Sequence, residues 1–409
     1  MNSLGEKIKA RRKQLQLTLK ELAGDDFSYS LLSQIENNKA NPSMETLHTL
    51  ASKLGMPISE LLNNQNYTDF KSLLKTCEKK FVMVYERNKE IDVEIKLQIE
   101  EVLESLTFQH YEEVRLIEIY CICTYYLEDK LPVELYSKVL EFYENIGNIN
   151  KYTQAKLFSI GMHFHNKKYI LCQQYIEHLA TVVDENEHLV EVAVLLDFYN
   201  MKSLIESAIG DYVTAAKSIE EGISIAHSQS FYQKHVRFLQ FSCFIYMQLQ
   251  DHAKAFEAIE KFKHYVEFTD NIFEIGFYEY ANFFIKNRLT SHSITEEITS
   301  FMEETKKITE YPISPIFTQE LAFSHWNKKD YKKVIEILEQ QSIPDHINHP
   351  LNVAGCLEIF AIRAYCYNKI GEREKAIEEI ITIYQQMKDF PESTFKQSIT
   401  NIYKELLIL

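Results

Sequence analysis

The run Ser28-Tyr29-Ser30-Leu31-Leu32-Ser33-Gln34-Ile35-Glu36-Asn37-Asn38 sets hydrogen-bonding side chains beside a narrow apolar stripe. Ser28 suits an N-cap, since its hydroxyl oxygen can accept from an unpaired first-turn amide. Leu32 and Ile35 stand three apart, on one side of the helix their spacing predicts, and Phe27 precedes the cap. Tyr29, Ser30, Ser33 and Gln34 then face outward. A DNA major groove admits a helix of this kind, because base edges there offer a distinct donor and acceptor pattern for each pair.

Other helices must hold that one. Leu4, Ile8 and Leu15 mark one face of a first helix, with Lys7, Arg11 and Lys13 off it. Thr18 can cap a second helix carrying Leu19, Leu22 and Ala23, and Gly24-Asp25-Asp26-Phe27 makes the turn. Pro42 disfavours helix at Asn41 and so closes the third. Ser43 can cap a fourth, with Met44, Leu47, Leu50, Ala51 and Leu54 inside and Gly55 as its stop. Ile58 to Leu62 completes the bundle. Residues 1–65 hold eight Lys/Arg against seven acids, five of the bases between Lys7 and Lys13, in a chain of net charge −15. A basic head on an acidic body suits a head that contacts DNA and a body that repels it.

The residues Leu17-Thr18-Leu19-Lys20-Glu21-Leu22-Ala23, then Ser33-Gln34-Ile35-Glu36-Asn37, Asn41-Pro42-Ser43, Leu47 and Leu50-Ala51 to Leu54-Gly55 resemble the phage-repressor-like (XRE-type) helix-turn-helix. That resemblance implies that Tyr29, Ser30, Ser33 and Gln34 read bases. It implies that Lys20, Asn37 and Lys39 contact phosphates. Thr18 and Ser28, at the starts of the two helices, complete the DNA-facing set. The turn before Ser28 is one residue shorter than the common pattern and lacks its glycine.

At 409 residues the chain is long enough for two or more domains: a head over 1–64, a linker or connecting helix over 65–72, and a body over 73–409. Ten glycines and eight prolines are few, which favours an all-α fold. The seven cysteines are odd in number and scattered, which fits a reduced compartment. No signal peptide and no long apolar run is apparent, so the expected location is cytoplasmic, with no membrane partner.

The body repeats. Gly210-Asp211-Tyr212-x-x-Ala215 returns as Gln250-Asp251-His252-x-x-Ala255, Lys329-Asp330-Tyr331-x-x-Val334, Gly371-Glu372-Arg373-x-x-Ala376 and Lys167-Lys168-Tyr169-x-x-Cys172. Starts at 167, 210, 250, 329 and 371 give spacings of 43, 40, 79 and 42, the third being two units. Weaker copies fall near Leu127 and Leu289. Each unit is a helical hairpin with a tight corner and a small residue where two helices meet. This resembles a drawn-out tetratricopeptide repeat, and so implies a right-handed superhelix of about eight hairpins with a concave wall. Pro312 and Pro315 precede one first helix, and Pro344 and Pro350 flank another loop. Phe395, Ile399, Ile402, Tyr403, Leu406 and Leu407 mark a last amphipathic helix that either caps the final repeat or joins two subunits.

In such repeats the first helix of each hairpin lines the concave side. Ten residues before each corner stand Asn200, Gln240, Glu279 and Gln319, and three before those Asp197 and Arg237. Four residues after stand Leu204, Phe244, Phe283 and Phe323, with Asn282 and Lys286 nearby. Amides flanked by phenylalanines suit an extended peptide, replacing its lost backbone hydrogen bonds and housing its apolar side chains. The competing reading makes the phenylalanines inter-helix core and the amides solvated.

No phosphate loop, dinucleotide fingerprint, HExxH or nucleophile elbow is present, so no enzyme and no cofactor is expected. Cys121-x-Cys123 and His163-x-His165 read as ordinary helix residues, and His346 and His349 lack ligand-spaced partners. A repressor-like head joined to a tetratricopeptide-like body resembles the peptide-pheromone quorum-sensing regulators of Gram-positive bacteria, the Rap/Rgg/NprR/PlcR/PrgX group, and at this length its NprR-type members. The resemblance implies a DNA operator with two half-sites, a short signalling peptide in the groove, and a dimer or tetramer whose geometry the peptide resets. Two alternatives stand beside it: a body that docks a partner protein such as a phosphorelay component, and a phage or mobile-element repressor of the same fold.

Overall fold

The computed structural model describes residues 4–24, 26–40, 42–57, 65–81, 88–290, 293–308, 314–344 and 347–408. The expected helix at Ile58 to Leu62, Asp25, Asn41, Pro312 and His346 lie outside the described residues, as does the side chain of Met44. The described residues form helices and turns without a strand, in two compact units, Met1–Gly147 and Asn148–Leu409.

In the first unit, α1 (Leu4–Gln14), α2 (Leu19–Ala23), α3 (Tyr29–Glu36) and α4 (Met44–Lys53) close around Ile8, Leu22, Leu32, Ile35, Leu50 and Leu54. Leu15 departs from expectation. Gln16 turns left-handed at φ 55°, the helix ends before Leu15, and Leu17 packs on the core instead while Leu15 stays exposed. Next come α5 (Gln65–Lys80), α6 (Lys89–Glu100), α7 (Tyr111–Glu128) and α8 (Val133–Asn145). The stretch 65–72, read as a linker or connecting helix, lies within the sixteen-residue helix Gln65–Lys80. From Glu113 to Tyr125, α7 is buried on every side, so it shows no amphipathic period. Cys121 and Cys123 lie inside it, and Glu118 is satisfied by Arg115 at 2.7 Å and the Tyr143 hydroxyl at 2.6 Å.

The second unit runs α9 (Ile149–His165), α10 (Tyr169–Glu185), α11 (Val192–Ala208), α12 (Tyr212–Ser228), α13 (Tyr232–Gln248), α14 (His252–Thr269), α15 (Ile272–Leu289), α16 (Thr295–Ile308), α17 (Pro315–Asn327), α18 (Tyr331–Leu338), α19 (Pro350–Lys369), α20 (Arg373–Met387) and α21 (Thr394–Ile408). The sequence corners are one conformation. Lys167, Gly210, Gln250, Lys329 and Gly371 all take positive φ, from 58° to 93°. The next residue is the N-cap, and where it is aspartate (Asp211, Asp251, Asp330) its carboxylate accepts the amide three residues on at 3.0, 3.1 and 3.4 Å. Five residues after each turn, Cys172, Ala215, Ala255, Val334 and Ala376 are wholly buried, at the crossing the repeat requires.

The copy expected near Leu289 is different at its first step: Thr290 leaves α15 in extended backbone, and the two residues after it lie outside the described residues. A corner that the repeat did not mark, Ser230-Phe231, joins α12 to α13. The first helices α9, α11, α13, α15, α17 and α19 lie side by side as one layer. Phe395, Ile399, Ile402 and Leu406 of α21 are buried in the main core, and Tyr403 stacks on Tyr384 at 3.9 Å, so this helix caps the last hairpin.

The layer also folds back on itself. The Tyr169 hydroxyl donates to the Asn348 carbonyl, and the Gln248 side-chain oxygen accepts the Thr394 amide at 2.9 Å. His349 is buried between Phe164 and Phe241, near the Ser207 hydroxyl at 3.1 Å and the Leu204 carbonyl at 3.2 Å. At Gly210 a Cβ would stand 2.8 Å from Pro391. Residues 348–351 and 390–394 therefore close against α9 to α13.

Candidate nucleic-acid interface and candidate groove

The reading helix is held from three sides. The Ser28 hydroxyl accepts the Leu31 amide at 3.1 Å, the N-cap its sequence predicts. Gly5 sits where any Cβ would lie 2.3 Å from the Ile35 carbonyl, so only glycine lets α1 approach α3 this closely. Arg12 meets Glu36 through two bonds, 2.6 Å from Nε and 2.9 Å from Nη2, and its Nη1 donates to the Leu17 carbonyl at 2.8 Å. The bond to Glu36 raises the Arg12 pKa further.

Lys53 of α4 replaces the missing turn glycine as organiser. Its ammonium donates to the Leu22 and Ala23 carbonyls at 3.2 and 2.9 Å, pairs with Asp26 at 2.5 Å and stands over the Phe27 ring. Two of the head's eight bases, Arg12 and Lys53, are thus spent inside it. Sequence reasoning counted both with the DNA-facing charge; the Arg12 signal was a base one turn beyond Ile8, itself fully buried.

The expected DNA-facing residues differ in exposure and in what already occupies them. Tyr29 is 60% exposed, and Ser30, Gln34, Asn37 and Lys39 are exposed along α3 and its exit. Ser33 is half-buried and Lys20 is exposed on α2. Thr18 and Ser28 are exposed but occupied as caps: Thr18 accepts the Glu21 amide while the Glu21 carboxylate accepts the Thr18 amide. The Asn37 amide donates to the Ser33 carbonyl at 2.8 Å. Leu32, Ile35 and Glu36 occupy the opposite face. The face left open presents hydroxyls and one carboxamide, groups that can donate to and accept from base edges.

The groove set in the second unit divides. Asn200, Leu204, Arg237, Gln240 and Phe244 are half-buried on α11 and α13, in one layer. Asp197 is already paired with Lys234 at 2.5 Å. Phe244 stacks on Tyr280 with centroids 5.5 Å apart and tilts against Phe284 at 5.1 Å. These contacts make Tyr280 and Phe284, not Glu279 and Phe283, the α15 equivalents of Gln240 and Phe244. A constant spacing of 40 residues from Gln240 and Phe244 would have found them.

Glu279 instead bonds Asn282 at 3.3 Å and Lys286 pairs with Glu297 of α16 at 2.7 Å, so this strip faces the second helices. Burial raises the Glu279 pKa. Phe283 packs with Ile294, Ile298 and Phe317 in a core of its own. Gln319 is 5% and Phe323 6% exposed; both are interior. Position in the repeat alone could not separate a lining phenylalanine from one between helices.

The reason Phe323 is interior is a polar centre that sequence reasoning missed. Arg288 of α15 meets both Glu320 oxygens at 3.1 Å and Glu358 at 3.2 Å, joining α15, α17 and α19. Its guanidinium lies 3.8 Å from the Phe284 ring centre and 4.3 Å from that of Phe323. Burial pushes the Glu358 carboxyl up, with Arg288 opposing.

Comparison with known proteins bears on the head. Residues 5–66 match a family described as a helix-turn-helix domain. An immunity repressor protein of Bacillus phage phi105 is 38% identical over 64 residues, 15% of this chain and 44% of the relative. The HTH-type transcriptional regulator DdrOP3 of Deinococcus deserti is 37% identical over 65 residues, 16% of this chain and 50% of the relative. The matches thus span about half the length of these relatives or less. Among solved structures, Bacillus thuringiensis PlcR in complex with the peptide PapR7 and DNA overlays with a TM-score of 0.37 at 17% identity, covering 66% of this chain and 96% of that one. No helix among the described residues is long and apolar enough to cross a membrane. Residues 5–66 thus match a helix-turn-helix domain, and the other described residues form helices joined by turns, many of them paired as hairpins.

Proposed function

We propose that the chain is a DNA-binding transcriptional regulator whose hairpin unit binds a short signalling peptide, and that the peptide resets oligomer geometry and DNA affinity. The observation that carries the DNA part is the open face of α3, with Ser30 and Gln34 outward and Glu36 locked inward on Arg12. On this reading Tyr29, Ser30, Ser33 and Gln34 read bases, and Lys20, Asn37 and Lys39 meet phosphates. Arg237, Asn200, Gln240 and the Phe244–Tyr280 stack supply the amide, charge and aromatic chemistry that an extended peptide needs. This reading places the protein in the cytoplasm with its operator.

The test is a thermal-shift and sedimentation screen against the mature secreted peptides of the source strain, with and without operator DNA. A peptide at 100 times its dissociation constant stabilises by about 2.7 kcal/mol. One peptide that raises the melting point and alters operator affinity supports the reading. No response, with DNA binding intact, favours a body that docks a partner protein. The closure of residues 348–351 onto α9 to α11 favours that second reading, because it occupies one end of the first-helix layer. The likeness of the head to a phage immunity repressor keeps a mobile-element repressor as a variant of the same chemistry.

A further inference from the structure

Leu31 is the apolar residue of α3 that the head does not use. Leu32 and Ile35 are closed into the core, whereas Leu31 is 37% exposed and lies outside that cluster. Its amide donates to the Ser28 hydroxyl at 3.1 Å, which fixes it in the first turn of the helix. An α-helix turns about 100° per residue, so Leu31 lies about 60° round the axis from Gln34 and about 100° from Ser30, at the edge of the open face. Leucine side chains in a helix lean toward its N-terminus, so the Leu31 methyl groups cover the end of α3 that a major groove receives first. A lone exposed leucine is ordinary. One set beside Ser30 and Gln34, both exposed, adds an apolar element to a polar reading face.

We propose, resting on the DNA reading above, that Leu31 packs against the 5-methyl group of a thymine in the operator half-site. That methyl is the apolar group that base edges present in the major groove, and a glutamine side chain matches N6 and N7 of adenine. Side chains three apart on a helix are about 5–6 Å from one another, between one and two of the ~3.4 Å steps of a DNA strand. The thymine therefore lies within about two base pairs of the adenine that Gln34 holds. Cytosine at that place would lack the methyl and turn its N4 donor onto a leucine that cannot accept, so it is selected against.

The test uses the duplex that the full chain selects from a random-sequence library, and the same duplex with each thymine in turn replaced by deoxyuridine, which removes the methyl alone. For the wild type, one replacement in each half-site weakens binding roughly three- to tenfold, the scale of one buried methyl group. Leu31→Ala keeps the melting point, loses that factor on the thymine duplex and loses nothing further on the deoxyuridine duplex. Leu31→Met keeps the preference for thymine. Leu31→Ala that binds the thymine duplex as the wild type does, or that loses equally on both duplexes, overturns the contact and leaves the DNA reading standing. A wild type that selects no sequence overturns the DNA reading, and the contact with it.

Discussion

Arg12 and Glu36 form a bidentate pair inside the head, at 2.6 and 2.9 Å, with both side chains shielded from water. The pair ties α1 to the last turn of α3, so it fixes the angle at which the reading face leaves the domain. Removing one partner strands the other as a buried charge. We expect Glu36→Ala to cost about 3–5 kcal/mol, and the joint Arg12→Met/Glu36→Leu replacement to cost far less. Calorimetry of the full chain, following the transition of the head, checks both; equal losses would mean that the charge itself is not what is buried.

The polar face of α3 should separate readers from anchors. Gln34→Ala should cost roughly 1–3 kcal/mol on the specific operator and little on random DNA. Lys20→Ala and Lys39→Ala should weaken both alike, each lowering the slope of log affinity against log salt by about 1. Anisotropy titrations at several salt concentrations give both quantities. An equal loss on random DNA would remove Gln34 from the readers.

The head was the most legible part of the sequence because its signals are local. Thr18, Ser28 and Ser43 each cap the helix that follows, and Leu32 and Ile35 face the core. The hairpins were legible at their corners, where aspartate must reach an amide three residues on. What the sequence did not reveal depends on partners far along the chain. Arg12 finds Glu36 and Lys53 closes the turn at Phe27 only once the bundle forms. Glu279 and Phe283 were assigned by counting from the weak copy near Leu289, where a constant spacing of 40 residues from Gln240 and Phe244 gives Tyr280 and Phe284. Gln319 and Phe323 stood in the right repeat position, but Arg288, Glu320 and Glu358 draw that part of the layer inward.

That division gives a direct contrast among the groove residues. Arg237→Ala and Gln240→Ala should leave the melting point nearly unchanged and reduce peptide-induced stabilisation. Phe323→Ala should lower stability by about 3–5 kcal/mol, since it empties the space beneath a buried guanidinium. Thermal melts with and without the active peptide distinguish them. A stable Phe323→Ala that loses only the peptide response would return Phe323 to the groove.

His349 should make the closed form of the second unit sensitive to acid. Its Nδ1 accepts the Leu351 amide at 3.1 Å, and its Nε2–H donates to the Leu204 carbonyl at 3.2 Å, so the folded ring is held neutral. Burial depresses its pKa to about 4, against the ordinary value of 6.5 in the unfolded chain. Below 6.5 the unfolded state binds a proton that the folded state refuses, so stability falls as pH falls and the loss is complete near pH 4. At 1.36 kcal/mol per pKa unit the full loss is about 3 kcal/mol. His349→Asn keeps an oxygen to accept the Leu351 amide but cannot titrate in this range. Between pH 6.5 and 5 the wild-type melting point should fall more steeply than that of the variant. Parallel curves would mean that His349 is protonated without opening the contact to Ser207 and Leu204, and that the closure is not what acid weakens.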